Sequence, residues 1–174
     1  MRGPRHGRRL FAIAIGIAGW LLASSPAHAG LTVDALTNDG RIVTLDSAAP
    51  GRILAQTTIN RSLLGPAESI VAIDYRPLTG QLYGMSDASR VFQISLLGVL
   101  TPVGNAFDVP LDGTAWDMDF NPSADRLRIV SNAALNMRFN PVTGTVVDGD
   151  PVTGGTQPDT DLSQRRRGAG LHAQ

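Results

Sequence analysis

Asp74-Tyr75-Arg76-Pro77-Leu78-Thr79-Gly80-Gln81-Leu82-Tyr83, running on to Phe92-Gln93-Ile94, returns 45 positions later as Asp119-Phe120-Asn121-Pro122-Ser123-Ala124-Asp125-Arg126-Leu127-Arg128, running on to Met137-Arg138-Phe139. Leu127, Ser131 and Ala133 fall where Leu82, Ser86 and Ala88 fell, and Phe120 replaces Tyr75. A weaker copy, Asn38-Asp39-Gly40-Arg41-Ile42-Val43-Thr44-Leu45, matches Asp87 to Ile94 at a spacing of 49. Periods of this size belong to propeller blades or stacked repeat units.

Within each copy the residues read as strands. Trp116, Met118 and Phe120 alternate with Asp117, Asp119 and Asn121. Such alternation gives a strand one apolar and one polar face. Asn121-Pro122-Ser123-Ala124-Asp125 then turns the chain, as Arg76-Pro77-Leu78-Thr79-Gly80 does earlier, because proline presets the turn and glycine closes it. Further strands are expected at 126–130 and 136–140, a second turn at 140–144, and a short fourth strand at 145–147. Nearer the start, strands are expected at 32–36, 41–45 and 53–58. The fold class is therefore all-β: repeated four-stranded antiparallel meanders, about two and three-quarter of them, arranged as an incomplete β-propeller. Trp116, Met118, Phe120, Leu127, Ile129, Met137 and Phe139 should lie inside, with no helix between Ser69 and Thr145.

The ends of the chain read differently. Arg2, Arg5, Arg8 and Arg9, an apolar run from Leu10 to Leu22 and Ala27-His28-Ala29 make residues 1–29 a signal peptide, with the mature chain starting at Gly30. The apolar run falls short of the roughly 18 residues a membrane span needs, so no span is expected after cleavage. The repeat domain, partial in extent, covers 30–162. From Ser163 to Gln174 the alternation stops and Arg165-Arg166-Arg167 appears. Two readings of this irregular tail stand: a solvated basic segment, or a truncated or frame-shifted terminus. The end of the array would then leave an open blade edge, a template for self-association.

Composition removes several function classes. The chain has no cysteine, every basic residue is arginine, and from Gly30 onward eleven arginines face fifteen acidic residues. A net acidic domain is a poor partner for nucleic acid. His6 and His28 precede the cleavage site and His172 lies in the tail, so the expected folded region holds no histidine. Ser86 and Ser131 would lack the usual base for nucleophilic catalysis. Zinc, copper and haem lose their ordinary ligands, and no cofactor is expected. Asp117 to Asn121 opens like a calcium loop, but Pro122 stands where glycine belongs and Arg128 where glutamate belongs. Asp148 and Asp150 read best as solvated carboxylates.

What remains is a set of charged positions in the third repeat. In simple hairpin register Asp117, Asp119, Arg126, Arg128, Asn136 and Arg138 project from one sheet face, with Arg128 and Arg138 nearly opposite. Facing like charges need a settling partner, either Asp117 and Asp119 or an anionic ligand. Asp117 and Asp119 would stand roughly 6.5 to 7 Å apart, a spacing that also permits acid–base work on a sugar. Asp119 has a counterpart in Asp74, which favours a carboxylate that ties strands together.

The run Asp119-Phe120-Asn121-Pro122, Asp125-Arg126-Leu127-Arg128-Ile129-Val130-Ser131, Asn136, Arg138, Asn140-Pro141 and Thr143-Gly144 resembles the exported bacterial domain of unknown function 4394. Ile73 to Tyr83 matches that family's earlier repeat, and the likeness covers about Leu31 to Leu162. The resemblance implies strands continuing past Asp159-Thr160-Asp161-Leu162, where this chain departs, and it carries no activity. The expected function is a secreted or periplasmic binding or scaffold module of the cell envelope with a ligand or envelope partner. The alternative is a hydrolase or lyase using Asp and Arg of the third repeat.

Overall fold

The computed structural model describes residues 30–109, 111–149, 152 and 154–159. The expected signal peptide and the tail from Ser163 lie outside the described residues. Eleven strands follow one another: β1 Thr32–Leu36, β2 Arg41–Asp46, β3 Ala49–Thr58, β4 Ile70–Arg76, β5 Gln81–Ser86, β6 Val91–Ile94, β7 Leu100–Pro102, β8 Trp116–Asn121, β9 Arg126–Ser131, β10 Asn136–Asn140 and β11 Thr145–Val147. They form three antiparallel sheets in sequence order, β1-β2-β3, β4-β5-β6-β7 and β8-β9-β10-β11. The protein is all-β, and the helical content of the described residues is a single 3-10 turn at Arg61–Leu63. Strand β3 begins four residues before the expected Ile53. Its early part pairs irregularly, with register shifts opposite Thr44, Leu45 and Asp46. Those bulges are why alternation did not reveal it.

Three tight turns recur at equivalent places. Thr37, Ser86 and Ser131 each donate a backbone N–H to the carbonyl four residues on, at 2.8, 2.8 and 3.1 Å. The residue closing each turn has positive φ: Gly40 at 78°, Ser89 at 61° and Ala134 at 66°. Only glycine takes that conformation without steric cost, so Ser89 and Ala134 are held there by the ladders on either side. Elsewhere backbone meets backbone. A side chain on Gly104 would run into the Gly144 carbonyl, which lets the β7–β8 loop press on the last turn of the third sheet.

The second and third sheets share one core. Tyr83, Met85 and Val91 pack with Met118, Phe120, Leu127, Ile129, Met137 and Phe139, and Trp116 lies half-buried beside them. Tyr83 and Phe120 meet edge to face at 5.1 Å. A smaller core of Ile42, Ile70, Leu82, Phe92 and Ile94 joins the first and second sheets. In β8, β9 and β10 the apolar side of the alternation that marks the sequence is the side turned to the neighbouring sheet.

Polar ties cross the same seam. Asp74 accepts the N–H of Tyr75 at 2.8 Å and, from the next sheet, that of Phe120 at 2.7 Å. Two residues on, the buried Arg76 grips Asp125 through Nε at 2.8 Å and through a second guanidinium nitrogen. Asp125 sits at φ 50°, the place that Gly80 holds at 67° in the preceding turn. Replacing Asp74 by alanine strands a partly buried N–H, and such a loss costs about 1–3 kcal/mol. Urea unfolding should show that decrease for Asp74→Ala, whereas Asp119→Ala should stay within about 0.5 kcal/mol, as surface changes do.

A second buried carboxylate anchors the entry to β4. Glu68 accepts from Arg90 Nε at 2.9 Å and from the Gly65 N–H at 2.8 Å. Burial opposes its charge, but Arg90, Gly65 and Ser86 outweigh burial and hold its carboxyl down at about 2. Arg76 likewise lowers the Asp125 carboxyl below its usual value. Both folded-state values lie under the unfolded ones, so this stability is complete above the unfolded carboxylate range and drains as pH falls towards 2. The Glu68 share is about 3 kcal/mol. Urea midpoints measured from pH 6 to pH 2.5 should fall steadily below pH 4.5, and Glu68→Gln should flatten that slope.

Candidate functional site

The third sheet presents its polar face where the alternation puts it. Asp119 pairs opposite Arg128 and Arg128 opposite Arg138, while Asp117 and Asn136 both stand opposite Val130. Residues directly opposite in an antiparallel ladder share a face. Asp117, Asp119 and Arg128 are exposed, and Arg126, Asn136 and Arg138 are partly so. All six candidates therefore belong to one surface.

The partner that settles the two facing arginines is neither Asp117 nor Asp119. It is Asp159, from the turn-rich stretch after the sheet. Its carboxylate receives Arg138 Nε at 2.8 and 3.0 Å and a second nitrogen at 2.7 Å, and it stands 3.6 Å from Arg128. Arg128 also donates to the Asn136 side chain. Asp159 holds the Arg138 guanidinium above its ordinary value. Arg126 turns to the carbonyls of Ala124 and Asp125, at 3.3 and 3.0 Å. Asp117 spends an oxygen on the Met118 N–H at 2.8 Å. Asp159 carried no sequence signal because a residue in a region without alternation has no predictable face.

The serines separate into two structural roles. Ser86 has no exposed surface. Ser131 Oγ accepts the N–H groups of Ala133 and Leu135, at 3.1 and 3.3 Å, inside its turn. Among the described residues no group of three or more acidic or histidine side chains is placed to hold a metal ion.

Cavities lie elsewhere. One of about 370 Å³ opens between the first and second sheets, beside Asp34, Thr44 and Tyr75. Another of about 340 Å³ lies at the Gly104–Gly144 crossing, and one of about 220 Å³ lies under Tyr75 and Thr32. None of these three is lined by the six candidates. In the first, Tyr75 donates its hydroxyl to Asp34 at 2.6 Å, and Asp34 also receives Thr44. The bond to Asp34 pushes the Tyr75 hydroxyl up to about 12. No local pattern marks this meeting, since Asp34 and Tyr75 are 41 residues apart on different sheets.

The model of the domain of unknown function DUF4394 matches residues 41–168. The chain belongs to that family. The match spans the last two strands of the first sheet and everything described after them, so DUF4394 includes both shared cores and the Asp159 contact. No curated protein matches the chain. Among the described residues of this DUF4394 protein, no helix is long and apolar enough to cross a membrane.

The Asp159 pairing has a measurable signature. Asp159→Ala leaves Arg128 and Arg138 face to face and should cost about 1 kcal/mol, the scale of a partly exposed ion pair plus a like-charge contact. Adding Arg138→Ala should recover part of that loss, giving a non-additive double-mutant cycle by urea unfolding. Strict additivity would show that the pair contributes nothing.

Proposed function

We propose that this protein is an exported, non-enzymatic binding or scaffold module of the cell envelope, secreted or periplasmic, whose sheets follow one another in the manner of propeller blades. The observation that carries the reading is the change of character between equivalent faces. In the second sheet Ala72, Tyr83 and Val91 are buried against the third sheet. Forty-five residues on, the same places hold Asp117, Arg128 and Asn136, on a face turned to water. An array of Asp, Arg and Asn side chains on a rigid sheet suits a polar partner. Export is supported by the arginine-rich start, the short apolar run and Ala27-His28-Ala29. The hydrolase or lyase reading has no observation in its favour.

Two measurements test this. N-terminal sequencing of the exported protein should read Gly30-Leu31-Thr32, and an intact Met1 start in the envelope fraction would refute cleavage. The mature protein should co-sediment with envelope fragments in a salt-sensitive manner, since contacts between exposed charges are screened. The variant Asp117→Asn/Arg128→Ala/Asn136→Ala, which keeps an acceptor for the Met118 N–H, should still unfold in one cooperative urea transition and lose most of that retention. Equal retention of the two proteins would remove this face from the function.

A further inference from the structure

The two seams between sheets are built on one plan, and one of them is left open. At the seam of the second and third sheets, Asp125 reaches back to Arg76, Phe120 packs on Tyr83, and Phe139 lies 5.5 Å from Phe107. Forty-five residues earlier the same three places hold Gly80, Tyr75 and Ile94. Gly80 brings no carboxylate, and isoleucine is smaller than phenylalanine. The first sheet has three strands, matching β5, β6 and β7, so among the described residues it has no counterpart of β4 to carry an arginine like Arg76. The corner that is filled at one seam is the cavity of about 370 Å³ at the other.

The rim and the floor of that cavity are chemically unlike. On the first sheet Asp34 accepts the hydroxyls of Thr44 and Tyr75, which occupies about two of a carboxylate's four lone-pair directions. The threonine and tyrosine oxygens keep lone pairs of their own. Ile42 lies on the same face of the first sheet as Thr44, and Leu82 and Ile94 on the same face of the second sheet as Tyr75; all three are buried and make an apolar floor beneath the polar rim. No arginine lines the cavity, so nothing there would balance an anionic ligand. An acceptor-rich rim over an apolar floor fits a molecule that carries many hydroxyl donors along its edge and C–H groups on the face it lays down. The volume falls within the range of small-molecule sites, about 300–1,000 Å³.

We propose that the cleft between the first and second sheets binds a neutral polyhydroxylated ring of monosaccharide size. Its hydroxyls donate to Asp34 and to the Thr44 and Tyr75 oxygens, and its C–H face lies on Ile42, Leu82 and Ile94. A lone ammonium group would answer the carboxylate and leave the apolar floor unused. The proposal rests on the binding-module reading but on a different seam from the third-sheet face, so loss of envelope retention and loss of ring binding are separate results.

The test is calorimetric titration of the mature protein with methyl β-glucoside, with N-acetylglucosamine, and with ethanolamine as the cationic probe. Saturable binding of at least one of the two sugars is expected. Thr44→Val and Tyr75→Phe preserve shape while removing a hydroxyl, and Phe120 already stands at the equivalent place in the third sheet. Each should weaken sugar binding about tenfold, the penalty of a lost hydrogen bond in a built site. Urea midpoints confirm that the variants are folded. Sugars that fail to bind, sugars that bind both variants as well as the parent, or binding of ethanolamine alone would each overturn the proposal.

Discussion

One strand couples most of this molecule. On β4, Asp74 and Arg76 occupy alternate positions and both reach the third sheet, one to the Phe120 N–H and the other to the Asp125 carboxylate. Side chains two apart on a strand point to the same side, so a pair of this kind fixes both the separation and the register of the next sheet. Hydrophobic contact alone would allow the two apolar faces to slide. A charge-assisted, two-pronged bond to a side chain held at positive φ does not.

That constraint explains why the two seams differ. Where β4 meets β8, each sheet contributes four strands and the corner closes on a buried arginine. Where the first sheet meets the second, the tie near the mouth of the cleft is a tyrosine hydroxyl on Asp34, and the Thr57 hydroxyl and the Asn60 N–H donate to the Leu96 and Gly98 carbonyls of the β6–β7 turn. The smaller core behind it, around Ile42, Leu82 and Phe92, holds the sheets together without filling the corner. Rigid packing on one side and an open seam on the other is a common way to obtain a site without sacrificing the scaffold.

On the third sheet the charged face is organised by what crosses it. Arg128 and Arg138 face each other across β9 and β10, an arrangement unfavourable by itself. Asp159 converts it into a shared carboxylate clamp, which also fastens the segment after β11 to the sheet. Asp119 is the informative contrast: it is the counterpart of Asp74, yet it makes no side-chain hydrogen bond among the described residues. The carboxylate that locks one sheet to the next is thus repeated on the outer face, where water is its neighbour.

The sequence alone determined the all-β class, most strand positions, six of the seven buried apolar residues from Met118 to Phe139 (Leu135 was the exception), the shared face of the six polar candidates and the opposition of Arg128 to Arg138. These follow from period-two alternation and from Pro, Gly and Asn at turns, which are local properties of the chain. Membership of DUF4394 was legible for a related reason, since the family's motif is carried by those same turns and strands. Other features were decided only by the tertiary structure: the early start of β3, the Arg76–Asp125 grip, the use of Asp159, and the Asp34–Tyr75 contact with its cleft. Each joins residues on different sheets, or lies in bulged or irregular backbone where side-chain direction is not periodic. Such contacts depend on how the sheets are offset, and that offset is set by packing and long-range hydrogen bonds which no local pattern encodes.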